Sequence, residues 1–355
     1  MSKLTKIMVT AVGGGGVGEQ IIKALKLSQK NYFIIGSDMN KISKGFYEVD
    51  KSTILPPANH PDYIDNLLNI CLSENVKILF CGSEAEIKRI SLEKKRFGNA
   101  GIIFPYNNKE ILDLCFNKFK TFEWLTSNGF SAPKTQLISS FKELQLITEF
   151  PIILKPHLAS GGSTNVFIIQ NEKELILFGT YLFSIYDSFI AQEYVGNIDN
   201  EYTVGILLDL EGNLINSIAV KKNILSGLSN KIKIPNYTLR KDLGSMLAVS
   251  SGISQGEIGH FECVTKQCEK IALKMHCVSA INIQCRLVND KVYVFEINPR
   301  FSGTTSLRAL VGYNEPDILI QKYLFCIEPK LHFTYKEGII MRGLSELFVE
   351  HKIYY

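Results

Sequence analysis

Two different rhythms of apolar residues meet near Phe116, and they restrict the chain to a few architectures. Over residues 6–115 four strand-like runs (KIMVTAV, YFIIGSD, KILFCGS and GIIFP) alternate with helix-patterned segments at 18–28, 61–73, 85–95 and 107–116. Such alternation requires parallel βαβ units, because a parallel partner is reached only through a crossover. After Phe116 the pattern changes. NKFKTFEWLTSNG (117–129) reads as one amphipathic helix closed by Gly129, and SAPKTQLI follows as loop and strand. Paired apolar runs then come with short Gly- or Asn-containing turns, the mark of antiparallel sheet. The expected pairs are FPIILKP with NVFIIQ, FIAQEYV with EYTVGILLDLEGNLINSIAVKK, and the two halves of VSAINIQCRLVNDKVYVFEINP; one long helix is expected at 256–276. The expected class is α/β: a parallel-sheet unit followed by an α+β unit with two antiparallel sheets.

Composition narrows the function classes. A chain of 355 residues is long enough for two or three domains with their own cores. A net charge of +4 without a Lys/Arg block gives no electrostatic footprint for nucleic acid, and KKRFG (94–98) reads as a solvated helix end. No uncharged apolar run of about 18 residues and no leader-like opening is present, so no membrane partner is expected and the location is read as cytoplasmic. The eight cysteines include no C-x-x-C, and most fall inside apolar patterns, which predicts buried, reduced thiols. The spacing of Cys263 and Cys268 with His260 and His276 matches no common zinc finger.

The first strand runs into VTAVGGGGVGEQIIKALKL, where Gly13-x-Gly15-x-x-Gly18 opens a helix, and Asp38 lies 20 residues past Gly18. That arrangement is compatible with a dinucleotide site, with a loop facing a substrate cleft, or with a tight turn alone. The C-terminal half holds no hydride-transfer constellation, so an NAD site is not expected.

Three later segments carry chemistry. In AINIQCRLVNDKVYVFEINPRFSGTT (280–305) the period of two puts Asn282, Gln284 and Arg286 on one face of a strand, and Val294, Glu296 and Asn298 on one face of the next. A three-residue connection at Asn289–Lys291 sets Gln284 opposite Glu296; a two-residue turn sets Gln284 opposite Phe295 instead. Gln284, Glu296 and Asn298 form an oxygen-donor set suited to Mg²⁺, and Arg300 suits charge on a transferring phosphoryl group. In FPIILKPHLASGGSTNVFII, Lys155 ends a strand and Gly161, Gly162 and Ser163 form a small-residue link able to close over phosphate. In FIAQEYVGNIDNEYTVGILLD, the connector at Gln192–Val195 offers backbone groups to a purine edge, and Glu201 suits ribose hydroxyls.

Taken in order, the Lys118 helix start, ILKP, the GGS loop, QEYV, EYTV, NIQ and FEINPR resemble the ATP-grasp superfamily over roughly residues 1–330. The likeness is in particular to the modules of the carbamoyl phosphate synthetase large chain and to stand-alone carboxylate–amine ligases. It implies a Rossmann-like unit over 1–115, a small ATP-grasp subdomain over 116–190, a large one over 191–330 and a C-terminal extension over 331–355. It further implies that Lys118, Lys155 and the loop Gly161, Gly162 and Ser163 contact ATP phosphates. Gln192, Glu193 and Val195 would form the adenine hinge, Glu201 would hold ribose, Gln284, Glu296 and Asn298 would bind Mg²⁺, and Arg300 would face the transferred phosphate. Gln284 stands where many relatives carry an acid, which leaves one or two metal ions open. Lys221 or Lys222 is a further phosphate candidate. Arg308, with Ser302, Gly303 and Thr304, is expected on the substrate side. The implied reaction joins a small carboxylate to an amine with release of ADP, and a homodimer is compatible with it. The alternatives are bicarbonate or carbamate phosphorylation and a nucleotide-binding module without turnover.

Overall fold

The computed structural model describes residues 4–158 and 164–348. Strands β1 (Thr5–Val9), β2 (Tyr32–Asp38), β3 (Lys51–Ile54) and β4 (Ile78–Phe80) form the parallel sheet, in the order β3-β2-β1-β4. Ile7, Met8, Val9, Ile35, Ile78, Leu79 and Phe80 are wholly buried, as expected of strands covered on both faces. The edge strand β3, KSTI, is largely exposed and too polar to announce itself in the sequence. GIIFP contributes only an isolated parallel bridge between Ile78 and Ile103.

The second half builds two larger antiparallel sheets and one small one. β5 (Thr135–Ile138), β6 (Ile152–Lys155), β7 (Phe167–Ile169) and β8 (Phe189–Glu193) form a four-stranded sheet in the order β5-β8-β6-β7. β9 (Glu201–Leu208), β10 (Leu214–Lys222), β11 (Asn230–Pro235), β12 (Met246–Ser250), β13 (Gly256–Gly259), β14 (Ala280–Val288), β15 (Lys291–Asn298) and β16 (Gly338–Ile340) follow in the chain. Of these, β11 and β12 pair alone, and the rest form a six-stranded sheet in the order β15-β14-β9-β10-β13-β16. The six-stranded sheet is the centre of the molecule. Leu207, Ile218, Val220 and Phe301 join the core of the parallel unit, while Val204, Ile206, Ile281 and Ile283 pack with Val264, Cys268 and Ile271 of the helix Glu262–Lys274. Phe301 meets Phe80 edge-on, with ring centroids 5.3 Å apart.

Two expectations about the antiparallel region are corrected. FIAQEYV does not pair with β9: β8 lies between β5 and β6, and Gly196, at φ 70°, with the helical turn Ile198–Asn200, turns the chain into the other sheet. The long helix begins at Glu262, because Gly256–Gly259 runs as β13 beside β10; a Cβ on Gly256 would lie 2.0 Å from the Lys221 carbonyl oxygen. The stretch after 330 adds a strand to the six-stranded sheet, where β16 pairs with β13 through Glu257↔Ile339. No helix among the described residues is long and apolar enough to cross a membrane. All eight cysteines are free, six of them buried.

The β14–β15 hairpin combines the two registers that the sequence allows. Its turn is the two-residue Asn289–Asp290, both residues with positive φ (49° and 60°), which matches strand twist. Next to the turn Arg286 faces Tyr293 and Cys285 faces Val294. The register then shifts by one, so that Gln284 faces Glu296 and Asn282 faces Asn298. Phe295 is the extra residue of a β-bulge, a device that re-aims side chains. The bulge corrects the expected faces of β15: Val292, Val294 and Ile297 enter the core, while Tyr293, Phe295, Glu296 and Asn298 line a cleft. The turn is testable by thermal or urea unfolding. Asp290→Gly should be neutral or stabilising, whereas Asp290→Val, strained at positive φ, should cost about 1–2 kcal/mol.

Candidate active site

A cleft of about 460 Å³ opens where the four-stranded sheet, the six-stranded sheet and the parallel unit meet, a volume typical of small-molecule sites. Lys155, at the end of β6, reaches into it and donates to Gln192 Oε1 at 2.8 Å. Burial pushes the Lys155 ammonium down to about 7, nearby Lys118 adds to the effect, and Glu296 opposes it. Lys118 begins the helix Lys118–Ser127, whose N-cap Asn117 accepts from the Phe119 and Lys120 amides. Two cations pressed together in a low-dielectric pocket fit a polyanion. Gly161, Gly162 and Ser163 lie outside the described residues.

Gln192, Glu193 and Val195 line the same end of the cleft. The Gln192 amide is used internally, its Nε2 donating to Thr135 Oγ1 at 2.9 Å, so what this connector offers a ligand is backbone. Glu201, at the start of β9, is buried between Lys222 (3.1 Å) and Arg286 (3.0 Å). Burial alone would raise its pKa, but the two cations hold it below the usual carboxylate range. Of the two lysines on β10, Lys222 lines the cleft and also donates to Ser250 Oγ and Gln284 Oε1. Lys221 faces Glu257 across β13 instead.

Gln284, Glu296 and Asn298 converge because of the bulge. Gln284 Nε2 donates to Glu296 Oε2 at 3.0 Å, and Asn298 Oδ1 accepts from Arg300 at 3.0 Å. Burial acts to raise Glu296, yet Lys118, Lys155, Arg300 and Lys222 keep it below the usual range and therefore ionised. Among the described residues no group of three His, Cys, Asp or Glu side chains is placed to hold a metal. One carboxylate with two amide oxygens instead fits a hard cation whose remaining ligands are phosphate and water, the habit of Mg²⁺.

Arg300 forms an ion pair with Glu84 at 2.8 Å, across the junction with the parallel unit. Glu84 opens the helix Glu84–Ser91; an acid in a first helical turn is ordinary, so no local signal marks it as part of the site. Ser302, Gly303 and Thr304 line the cleft, as do Gly14, Gly15 and Gly16. Gly14 and Gly15 adopt φ of 71° and 77°, open to glycine without strain. Asp38 ties this loop down, accepting from the Gly13 amide at 2.8 Å and the Asn40 amide at 2.9 Å.

Arg308 is a correction. It is fully buried, paired with Glu315 at 3.1 Å and donating to Asn282 Oδ1 at 2.6 Å. It does not face the cleft; it supports Asn282, which does. Gly205 makes room for it, since a Cβ there would lie 2.2 Å from the Arg308 guanidinium.

Residues 8–104 match a family described as the PylC-like N-terminal domain, and residues 246–346 match one described as ATP-grasp in the biosynthetic pathway with Ter operon. The carbamoyl phosphate synthase large chain of Pseudothermotoga lettingae is 23% identical over 328 residues. That match covers 85% of this chain and 26% of the relative, so the chain spans about a quarter of that protein's length. Among solved structures, an ADP complex of N5-carboxyaminoimidazole ribonucleotide synthetase superposes with TM-score 0.65 at 15% identity, covering 94% of this chain and 81% of the other. The L-amino acid ligase from Bacillus licheniformis superposes with TM-score 0.60 at 14% identity, covering 91% and 75%.

Two predictions follow from the site's electrostatics and packing. With its pKa at about 7, against about 10.4 when unfolded, Lys155 is deprotonated over a window in which the unfolded chain keeps the proton. Stability from this group therefore rises with pH between those values. An anion beside Lys155 raises its pKa again, so a polyphosphate that binds there at pH 8 should take up protons, measured by calorimetry in buffers of different ionisation enthalpy. Lys155→Met should abolish the uptake. Separately, Gly205→Ala should destabilise by about 2–4 kcal/mol by displacing Arg308, with Gly98→Ala in the helix Lys94–Asn99 as a control that unfolding curves should find neutral or slightly stabilised.

Proposed function

We propose that this chain, an ATP-grasp fold joined to a Rossmann-like unit, is an ATP-dependent carboxylate–amine ligase that works through an acyl phosphate. The observation that carries the reading is the convergence of Lys118, Lys155, Lys222 and Arg300 on one cleft with the oxygen donors Gln284, Glu296 and Asn298. Basic side chains set beside a hard-cation donor set are the chemistry that phosphate groups call for.

In this reading the purine lies against the Gln192–Val195 connector, with the ribose toward Glu201. Lys155 and Lys118 hold the phosphate chain, each as a point charge. Glu296, Gln284 and Asn298 would hold Mg²⁺, which supplies neutralisation of phosphate charge when bound. A substrate carboxylate oxygen attacks the γ-phosphorus in line; the bond from phosphorus to the bridging oxygen breaks, and ADP leaves. An amine nitrogen then attacks the acyl carbon, giving up a proton as inorganic phosphate departs. Arg300, held between Glu84 and Asn298, stabilises the charge that develops on the transferred group. Ser302, Gly303 and Thr304, with the glycine loop, bound the acid and amine. The chemistry draws on cytoplasmic ATP. The likeness to a carbamoyl phosphate synthase large chain supports a second reading, in which bicarbonate is the phosphorylated acid.

Incubation with Mg-ATP and a pooled panel of small carboxylates, with and without hydroxylamine, tests both. ADP with a hydroxamate is the expected result. ADP formed only with bicarbonate would favour the second reading. AMP with pyrophosphate would overturn the phosphoryl-transfer chemistry, and ATP binding without turnover on any acid would favour a regulatory nucleotide site. Arg300→Met should lower kcat by about 100-fold or more, while ATP affinity measured by calorimetry changes far less.

A further inference from the structure

Arg286 is the most heavily bonded side chain of the cleft, and the reaction above gives it no part. It sits on β14 with 6% of its surface exposed. Nε and one terminal nitrogen hold Glu201 Oε2 at 3.1 and 3.0 Å. The other terminal nitrogen donates to the carbonyls of Val195 and Gly196, both at 3.2 Å, and a further bond at 3.1 Å reaches the Ala248 carbonyl on β12. The guanidinium carbon lies 4.5 Å from the centre of the Tyr194 ring, and the Tyr194 hydroxyl is itself bonded to the Ala248 amide and carbonyl at 2.8 and 3.1 Å. One planar fork thus joins the six-stranded sheet, the connector out of β8 and the small sheet. The close approach needs Gly196, because a Cβ there would lie 2.6 Å from Val288 Cγ2.

The bonding has a direction. Both carbonyls at Val195 and Gly196 are turned toward Arg286, whereas no hydrogen bond from the Val195 N–H is found among the described residues, and Val195 lines the cleft. An ion pair with Glu201 alone would leave the connector free to shift relative to β14. The three bonds to carbonyls prevent that, and only a guanidinium has enough donors in one plane to make them alongside the ion pair.

Resting on the ATP reading above, we propose that Arg286 is the positioning residue for the purine end of the nucleotide. It sets the connector so that its backbone meets the base, independently of Lys118 and Lys155, which hold the phosphates. The test compares two ligands, Mg-ATP and Mg-tripolyphosphate, which lacks base and ribose, by calorimetry on the full chain. Arg286→Met should weaken ATP about 10-fold or more, the effect of losing hydrogen bonds to a charged group, and leave tripolyphosphate within about twofold. Arg286→Lys, which keeps the charge and guards against misfolding of the Met variant, should also weaken ATP selectively, since it lacks the fork. Equal losses for both ligands in Arg286→Lys, or unchanged ATP affinity, would overturn the proposal. Failure of the unaltered protein to bind ATP while it binds tripolyphosphate would instead sink the nucleotide reading, and this inference with it.

Discussion

The cleft depends on a buried carboxylate. Glu201 lies on β9, the strand at the heart of the six-stranded sheet; Arg286 is its direct cross-strand neighbour on β14, and Lys222 closes on it from β10. Taking three charges out of water costs several kcal/mol per ion before their mutual attraction is counted. Such a group is therefore poor evidence for extra stability. Its consequence here is geometric, because satisfying all three charges admits one relative placement of three strands. Around that placement Lys222 also reaches Gln284, and Arg286 reaches the connector and β12.

The same economy of charge runs along the cleft. Lys155 sits where its ammonium is disfavoured, and Glu296 stays ionised in a place where burial alone would neutralise it. Glu296 opposes the downward shift of Lys155, and Lys155 helps to keep Glu296 ionised. The Arg300–Glu84 pair carries this network into the parallel unit, and the buried Phe301, next in the chain, packs on Phe80 of β4. The side chain proposed to meet the transferred phosphate is thereby held by both halves of the molecule. Arg308 and Asn282 form a further layer beneath, with Thr203 donating to Asn282 at 2.8 Å.

Local pattern carried much of the fold. Apolar runs between helical segments marked β1, β2 and β4, and the alternation in AINIQCRLV put Asn282, Gln284 and Arg286 on the cleft side of β14. Where elements escaped the sequence, the cause was tertiary. β3 is a polar edge strand that owes its conformation to β2, and GEIG becomes β13 because β10 lies alongside it. FIAQEYV has the composition of any buried strand, and nothing local tells which sheet receives it. Arg308 looked like a substrate ligand because an arginine beside a glycine- and threonine-rich loop is polar by type; Gly205, a hundred residues away, makes the space that buries it.

The sequence by itself determined the two rhythms of secondary structure, the residue types of the site proposed for phosphate and metal, and their order along the chain. These are properties of short windows, read from periods of two and 3.6 residues and from the chemistry of side chains. Only the tertiary structure decided which of those side chains meet. The one-residue bulge at Phe295 sets Gln284 opposite Glu296 despite a two-residue turn, and no local propensity specifies it. Glu84 and Arg286 acquire their partners from residues 216 and 85 positions away, contacts that exist only once the sheets have closed around the cleft.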